Sequence, residues 1–365
     1  MTARMRKQLQ LLATLPLYLS MRATGRPRLR PVSVTVSLLY ACNSRCQTCR
    51  VYEKSPERLS FAEIERVFAS LGDAPFWFTM SGGEPFLRPD IAEICISAYD
   101  HCHPAIMNIP TNGSLSDVIP GRVQQILAHC RDMELIINVS FDQIGEKHNI
   151  LRGLPESFER ALTTYRELKQ LTQQYANLTV GIHTVISRFN VRDLPAIYTE
   201  LQRLKPDSYI TEIAEQRVEL QTMDCDIAPS LADYTEAINF LTGQIQLHAF
   251  AGVSKITQAF RVEYYRLVQE ILTRRTQVIP CYAGIMSVQI SPQGDVWPCC
   301  VRADVMGNLP AQGYDFEAIW QSAEAARIRR SIAAKECFCP LANASYTNIL
   351  CSPTAMLNVL RHVIR

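Results

Sequence analysis

Thirteen cysteines are the feature of this 365-residue sequence that most restricts what it can fold into. They form two groups, one within Cys42–Cys49 and one within Cys281–Cys351, with four single cysteines between them. An odd number of cysteines in a chain of this length does not fit the disulfide framework of a small secreted protein. The pattern predicts thiolates gathered around metal, in a reducing and therefore cytoplasmic compartment.

Charge and composition exclude several classes of protein. The 37 Lys and Arg residues nearly balance the 35 Asp and Glu residues, so the net charge of +2 gives no reason to expect nucleic-acid binding. Apolar residues make up 47% of the chain, which is ordinary for a soluble protein with a sizeable core. The length predicts one large domain with a smaller module.

The first 30 residues are basic and contain an apolar stretch from Leu9 to Met21. This stretch is too short to span a bilayer, and no small-residue cleavage site follows it. Two hypotheses account for the segment. It is either a helix that packs against the rest of the fold, or an interfacial helix that holds the protein at the inner face of the cytoplasmic membrane.

Strand-like and helical patterns alternate between about residues 31 and 214. Six segments rich in β-branched or aromatic residues predict strands at Ser33–Leu39, Phe76–Met80, Ala105–Ile109, Glu134–Phe141, Leu178–Ile186 and Ser208–Ile213. The segments between them repeat apolar residues every three or four positions, which predicts helices and hence an α/β fold with a parallel sheet. Six units are too few for a closed eightfold barrel, so a partial barrel and an open doubly wound sheet both fit. In either fold the reactive loops follow the carboxyl ends of the strands.

The same patterns divide the chain into five segments. We predict a basic and apolar helical segment at residues 1–30, a core partial barrel at 31–229, a helical connection at 230–280, a small α+β cysteine-rich domain at 281–351 and a C-terminal helix at 352–365. Within the cysteine-rich segment, Met286–Ile290 and Asp295–Trp297 flank a Ser-Pro-Gln-Gly turn, which predicts a β-hairpin.

Three cysteines, Cys42, Cys46 and Cys49, follow directly after the first predicted strand. Their C-x3-C-x2-C spacing on one tight loop can direct three thiolates to one face of a metal cluster. A [4Fe–4S] cluster takes four ligands, so three cysteines would leave one iron open for chemistry. The alternative is a zinc site, which would need a fourth ligand nearby.

The second predicted strand leads into a Ser-Gly-Gly-Glu-Pro sequence at residues 81–85. Its two glycines allow a ligand to approach the backbone, and its carboxylate can pair with an ammonium group. Together with the cysteine loop, this sequence resembles the radical SAM superfamily, and most closely the subgroup with a C-terminal SPASM or twitch domain. The resemblance covers roughly residues 33 to 215 and implies the partial (β/α)6 barrel of that family.

The resemblance also implies roles for individual residues. Cys42, Cys46 and Cys49 would bind a [4Fe–4S] cluster whose fourth iron chelates S-adenosylmethionine (SAM). The other implied contacts to SAM are Gly82, Gly83 and Glu84 at its amino group, Ser140 at its ribose or carboxylate, Arg152 at its carboxylate and Val185 at its adenine. Thr48 departs from the family, which usually has an aromatic residue at this position near the adenine.

The late cysteines resemble those of a twitch or truncated SPASM domain. We expect one auxiliary [4Fe–4S] cluster, held by Cys281, Cys299, Cys337 and Cys339. Cys300 and Cys351 are reserve ligands, and Asn343 stands where a full SPASM domain would have a further cysteine. A four-thiolate zinc site is the alternative.

The chemistry implied by the resemblance is oxidoreductase-type radical chemistry. A reduced cluster would cleave SAM to a 5′-deoxyadenosyl radical that abstracts hydrogen from a substrate, and the auxiliary cluster would accept an electron or bind that substrate. We expect a small-molecule, sugar or lipid-type substrate, a reductant protein such as flavodoxin or ferredoxin, and no nucleic acid. The alternative is a peptide-modifying maturase of the RiPP type. A non-catalytic iron–sulfur or zinc protein is disfavoured, because an electron carrier has no need of the Gly-Gly-Glu-Pro and Ser140 motifs.

Overall fold

The computed structural model describes residues 3–24, 29–247 and 252–364. In these residues one sheet contains nine strands in the order β6-β5-β4-β3-β2-β1-β7-β8-β9. The strands are β1 (Ser33–Ser37), β2 (Trp77–Ser81), β3 (Ile106–Thr111), β4 (Glu134–Ser140), β5 (Leu178–Ile186), β6 (Ser208–Ile213), β7 (Ser287–Ile290), β8 (Asp295–Trp297) and β9 (Gly307–Asn308). Strands β1 to β6 are parallel, and the sheet is open rather than closed. The predicted α/β partial barrel is confirmed.

Helices connect the parallel strands and continue into the C-terminal part. Those in the described residues are α1 (Ala3–Thr24), α2 (Phe61–Leu71), α3 (Ile91–Cys102), α4 (Ile119–His129), α5 (Glu146–Arg152), α6 (Ser157–Leu171), α7 (Leu194–Gln202), α8 (Leu231–Leu247), α9 (Gly252–Arg274), α10 (Phe316–Trp320), α11 (Ala323–Ala333), α12 (Ala342–Leu350) and α13 (Pro353–Ile364). Local sequence sets some of these bounds. Ser60 and Glu63, for example, form a capping box that starts α2.

The two faces of the sheet differ in chemistry. One face is apolar and belongs to the main core; it includes Val34, Phe78, Ile109, Ile137 and Ile182. The opposite face, which we call the polar face, carries the alternate residues of the strands: Thr35, Ser37, Thr79, Ser81, Asn108, Asn138, Ser140, His183, Glu212 and Gln289. Because side chains alternate along a strand, this arrangement leaves the polar face free to line a ligand site.

The cysteine-rich segment is joined directly to the barrel sheet. β7 pairs in parallel with β1, with Ser33 opposite Ser287, and β8 returns antiparallel to β7. The turn between β7 and β8 contains Gly294, whose φ of +86° lies in the left-handed region that favours glycine. The predicted hairpin therefore extends the sheet of the core and lies beside the loop that follows β1.

Helix α1 packs across the amino-terminal edge of the strands. The ammonium group of Lys7 is buried, where it donates to the carbonyls of Asp73 at 2.6 Å and Cys102 at 3.1 Å. Arg4 pairs with Glu134, at the start of β4, at 2.8 Å. These contacts fit the hypothesis of a helix that packs against the fold. None of the helices in the described residues is long and apolar enough to cross a membrane.

Candidate functional site

The first cysteine group lies in the loop that follows β1. Its three thiols are partly exposed and belong to Cys42, Cys46 and Cys49. Two backbone hydrogen bonds attach this loop to the end of α5: the amide of Arg45 donates to the carbonyl of Arg152 at 2.8 Å, and the amide of Gln47 donates to that of Leu151 at 3.0 Å. The loop therefore lies at the carboxyl edge of the parallel strands, where an α/β fold places its reactive groups.

The chemistry of these thiols fits an iron–sulfur cluster. Burial raises the pKa of Cys42 to about 11 and that of Cys49 to about 12, and the pKa of Cys46 is raised for the same reason. The three groups are close enough that a charge on one further raises the pKa of another. Three thiolates on this loop would need a cationic partner, which the irons of a cluster would supply. In the described residues, as they are arranged here, no group of three His, Cys, Asp or Glu side chains could hold a metal ion.

Gly82 and Gly83 are held against the cysteine loop. The amide of Gly83 donates to the carbonyl of Leu39 at 2.7 Å, and the amide of Glu84 donates to that of Ala41 at 3.0 Å. A Cβ added to Gly82 would lie 2.2 Å from the oxygen of Leu39, and one added to Gly83 would lie 2.1 Å from that of Ala41. The glycines are thus required by the packing of two backbones, a reason that the sequence alone did not reveal.

The carboxylate of Glu84 connects β2 to the loop after β3. It is buried and accepts hydrogen bonds from the hydroxyl of Thr111 at 2.8 Å and from the amide of Asn112 at 2.8 Å. Burial raises its pKa to about 7. The side-chain amide of Asn112 in turn donates to Asn43 of the cysteine loop at 2.8 Å. Glu84 therefore organises the loops that surround the three thiols.

Arg152 lies beside the cluster loop and is almost fully buried. Its guanidinium pairs with Asp142 at 2.9 Å and approaches the Sγ of Cys46 at 3.7 Å. The other oxygen of Asp142 accepts from the backbone amide of Val185 at 2.8 Å. Ser140, Arg152 and Val185 thus lie on neighbouring segments at the carboxyl edge of the sheet, together with the cysteine loop.

A charged cluster that the sequence analysis did not single out lies on β5 and β6 and in the segment that follows β6. Arg217 pairs with Glu212 at 3.2 Å and with Glu215 at 3.3 Å, and Glu212 lies 3.8 Å from the imidazole of His183. Burial raises the pKa of Glu215 to about 7. The sequence offered one indication of this cluster. Most of its charged residues come at the end of the last predicted strand or just after it, where an α/β fold places ligand sites.

The second cysteine group forms a separate pocket in the C-terminal part. Four thiols line it, those of Cys281, Cys299, Cys337 and Cys339, and the other lining side chains include Ala283, Val301, Ile332 and Ala344. Burial raises the pKa of Cys299 to about 12. A cavity that combines four thiols with largely apolar walls and one arginine, Arg302, fits the predicted auxiliary cluster.

The remaining cysteines lie elsewhere. Cys351 is buried against α1, with its Sγ 3.0 Å from the sulfur of Met286. Cys300 is buried next to the four-thiol pocket, among Leu341 and Ala344, but it does not line that pocket. Cys95, Cys102 and Cys130 are core residues, as expected for thiols on apolar helix faces.

One loop connects the two cysteine groups. The amide of Glu219 donates to the carbonyl of Cys300 at 3.2 Å, and the carbonyl of Leu220 accepts from the amide of Arg50, next to Cys49, at 3.0 Å. Trp297, on β8, packs in the same apolar cluster as Cys42 and Cys49. This loop therefore links the first cysteine group to Cys300, which lies next to the four-thiol pocket.

Two family models match the chain. Residues 36–201 match the radical SAM superfamily, and residues 281–340 match an iron–sulfur cluster-binding domain, SPASM. The radical SAM domain implies a [4Fe–4S] cluster and SAM, and the SPASM domain implies auxiliary iron–sulfur clusters.

Similar proteins include enzymes with different products. Two are from Methanosarcina barkeri. An Fe-coproporphyrin III synthase is 31% identical over 48% of this chain but only 42% of its own length, and an AdoMet-dependent heme synthase is 26% identical over 83% of this chain and 85% of its own. The mycofactocin maturase MftC of Mycobacterium tuberculosis is 24% identical over 84% of this chain and 75% of its own.

Among solved structures, Streptococcus suis SuiB bound to the precursor peptide SuiA superimposes with a TM-score of 0.62 at 16% identity, covering 88% of this chain and 71% of that one. This likeness agrees with the partial barrel and the cysteine-rich extension described above. The chain is a member of the radical SAM superfamily with a C-terminal SPASM domain.

Proposed function

We propose that this chain is a radical SAM maturase that modifies a peptide. The comparisons favour this alternative over the small-molecule, sugar or lipid substrate that we expected from the sequence. A maturase is similar over most of the chain. The proposal therefore replaces our first expectation of the substrate and keeps the expected class of chemistry.

The proposed cofactor site is the carboxyl edge around the first cysteine group. Cys42, Cys46 and Cys49 would ligate the [4Fe–4S] cluster, which supplies the electron that cleaves bound SAM. The SAM-binding residues proposed around it are Gly82, Gly83, Glu84, Ser140, Arg152 and Val185. Arg152, which is paired with Asp142, would lie next to the cluster thiolates and would donate hydrogen bonds to the carboxylate of SAM. Cys281, Cys299, Cys337 and Cys339 would ligate the auxiliary cluster.

The observation that carries the peptide hypothesis is the chemistry of the polar face. On this face β3 and β4 present uncharged amide and hydroxyl groups, among them Asn108, Asn138 and Ser140. The Oδ1 of Asn138 is buried and has no hydrogen-bond partner in the described residues. Peptide groups are neutral and carry both a donor and an acceptor, so such a surface suits a peptide backbone.

The charges at the rim point in the same direction. The two arginines near the polar face are both neutralised, Arg152 by Asp142 and Arg217 by two glutamates. Glu219 adds a further buried carboxylate, which accepts from Ser37 at 2.5 Å. A polycarboxylate substrate would meet these carboxylates, which repel like charges at short range. Lys54, which donates to the backbone carbonyl of Glu219 at 3.2 Å, adds one positive charge beside them.

A porphyrin is the second candidate substrate, because the heme synthase relative matches 85% of its own length. Both candidates share SAM cleavage and differ in the charge of the substrate.

An electron donor such as flavodoxin or ferredoxin is the proposed reductant. We also propose that the protein works in the cytoplasm, either at the inner face of the membrane or away from it.

The two candidates can be separated with the reconstituted holoenzyme, dithionite and SAM. One arm contains candidate precursor peptides encoded next to the gene, and the other contains Fe-coproporphyrin III. We expect a peptide to stimulate 5′-deoxyadenosine formation and to change in mass, with the porphyrin inert. Conversion of the porphyrin without conversion of any peptide would overturn the peptide proposal while leaving SAM cleavage intact.

A further inference from the structure

A cavity of about 190 Å³ lies outside the cysteine-containing part of the barrel. It is partly open to solvent and lies between the start of β6, the end of α7 and the facing sides of α8 and α9. Its wall includes three tyrosines, Tyr198, Tyr209 and Tyr265, together with Arg261 and the apolar side chain of Leu241. The proposed maturase chemistry does not use this cavity, and none of the thiols lines it.

Arg261 is the unusual member of this wall. Its side chain is 3% exposed, yet it forms no ion pair with any carboxylate, and every Asp and Glu of the chain belongs to the described residues. Its guanidinium donates to the carbonyl of Tyr209 and to the side-chain oxygen of Gln258. Its Nε has no hydrogen-bond partner in the described residues. A buried cation without a counter-charge is costly, so an anion in the cavity would stabilise it.

Asp207 does not supply this counter-charge although it also lines the cavity. Its carboxylate is engaged by the ammonium group of Lys169 and by the amide of Val180 at 2.9 Å. Arg261 is near enough to the phenols of Tyr198 and Tyr265 to oppose the effect of burial on their pKa. Its positive charge therefore lies close to both tyrosines of the cavity wall.

We propose that this cavity is a binding site for a small aromatic carboxylate. The carboxylate would form a bidentate pair with the guanidinium of Arg261, which is the geometry in which arginine binds carboxylates most strongly. The ring of the ligand would pack among the tyrosines, since aromatic rings favour edge-to-face contacts; Tyr198 and Tyr209 already meet in this way, with centroids 5.1 Å apart. An engineered cavity of about 150 Å³ in another protein holds benzene, so a single-ring ligand matches the size.

Benzoate is the probe that tests this site. Equilibrium dialysis of radiolabelled benzoate against the reconstituted holoprotein should show one saturable site per chain. Acetate, which lacks the ring, should compete poorly. Arg261→Gln should weaken benzoate binding about tenfold or more, because it removes the charge that pairs with the carboxylate. Arg274→Gln, which removes an exposed arginine of the same helix, should leave benzoate binding unchanged.

A second variant keeps the test decisive if Arg261→Gln does not fold. Gln202→Trp, at the end of α7 and on the cavity wall, should fill the cavity while leaving Arg261 in place. We expect it to abolish benzoate binding with a normal iron content. Absence of saturable benzoate binding at millimolar concentration, or equal binding by the wild-type protein and the folded variants, would overturn the proposal. Neither outcome would affect the peptide hypothesis, which concerns the opposite side of the sheet.

Discussion

The guanidinium of Arg152 lies 3.7 Å from the Sγ of Cys46 and 2.9 Å from the carboxylate of Asp142. One side chain thus joins the segment after β4 to the loop that follows β1. Because Arg152 and Asp142 are both almost fully buried, each depends on the other for its counter-charge. The position of the cysteine loop is therefore set partly by an ion pair between two residues that lie outside it.

This relationship predicts a large effect of removing the charge. In Arg152→Met, Asp142 stays buried without its partner, and the free energy of unfolding should fall by about 3–5 kcal/mol. Anaerobic urea unfolding of the holoprotein measures it. The control is Arg203→Met, which removes an exposed arginine that pairs with Glu200 within one helix turn and should cost less than about 0.5 kcal/mol. Equal losses in the two variants would contradict the structural role of Arg152.

The close approach of two backbones at Gly83 gives a second prediction. In Gly83→Ala, a new Cβ would meet the carbonyl of Ala41, so the cysteine loop must move. We expect reduced iron content and loss of 5′-deoxyadenosine formation. Gly121→Ala is the matched control, because a Cβ there meets nothing within 4 Å, and alanine suits the interior of α4. Normal iron content and activity in Gly83→Ala would show that the loop tolerates the shift.

The sequence predicted the parallel core well because its elements carry strong local patterns. The bounds of β5, Leu178–Ile186, agree with the predicted bounds at both ends, and α2, Phe61–Leu71, lies in a segment whose apolar periodicity predicts a helix. The capping box of α2 and the β-branched run of β5 explain this agreement, since both are local signals. The spacing of Cys42, Cys46 and Cys49 is a local signal of the same kind, and their role as cluster ligands stays a prediction.

Long-range relationships were not predictable in the same way. The pairing of β7 with β1 joins segments about 250 residues apart, with Ser33 opposite Ser287, and no local pattern encodes it. The ion pairs of Arg217 depend on how the segment after β6 folds back. The glycines after β2 were interpreted as room for a ligand; that a neighbouring backbone packs where a Cβ would lie on each of them depends on the fold and could not be predicted.

The two thiol groups predict two clusters with different tasks. Iron and sulfide in the reconstituted protein should approach about eight of each, roughly four per cubane. Replacing Cys42, Cys46 and Cys49 together with Ala should abolish 5′-deoxyadenosine formation. Replacing Cys281 and Cys299 should spare uncoupled SAM cleavage while stopping product. Cys225→Ala, outside both groups, should change neither measurement, and half the expected iron together with stoichiometric zinc would contradict the auxiliary cluster.

His148 predicts a pH dependence of stability. Its imidazole is fully buried, and burial lowers its pKa from 6.5 to about 3. As the pH falls below 6.5, the unfolded chain binds a proton that the folded chain does not bind, so stability is lost progressively down to about pH 3. One unit below 6.5, this group should lower the free energy of unfolding by about 1.3 kcal/mol relative to pH 7. Comparing urea unfolding of the wild-type protein and of His148→Asn at pH 5.5 and at pH 7 isolates this contribution. Identical changes in the free energy of unfolding would contradict the lowered pKa of the imidazole.

Lys7 allows the two hypotheses for the N-terminal helix to be separated. Its ammonium group is buried and pairs with Asp73 at 2.6 Å, whereas Arg6 beside it is exposed. Lys7→Met and Arg6→Met remove the same charge, but only the first leaves buried carbonyls without their donor. We expect Lys7→Met to lower the free energy of unfolding by about 1–3 kcal/mol and Arg6→Met to leave it nearly unchanged.

The opposite face of α1 still exposes Leu9 and Leu12, so membrane docking is tested separately by co-sedimentation with anionic vesicles. Weaker co-sedimentation of Arg6→Met than of the wild-type protein would indicate that the exposed charge meets lipid, whereas no co-sedimentation of either protein would leave packing against the barrel as the function of this helix.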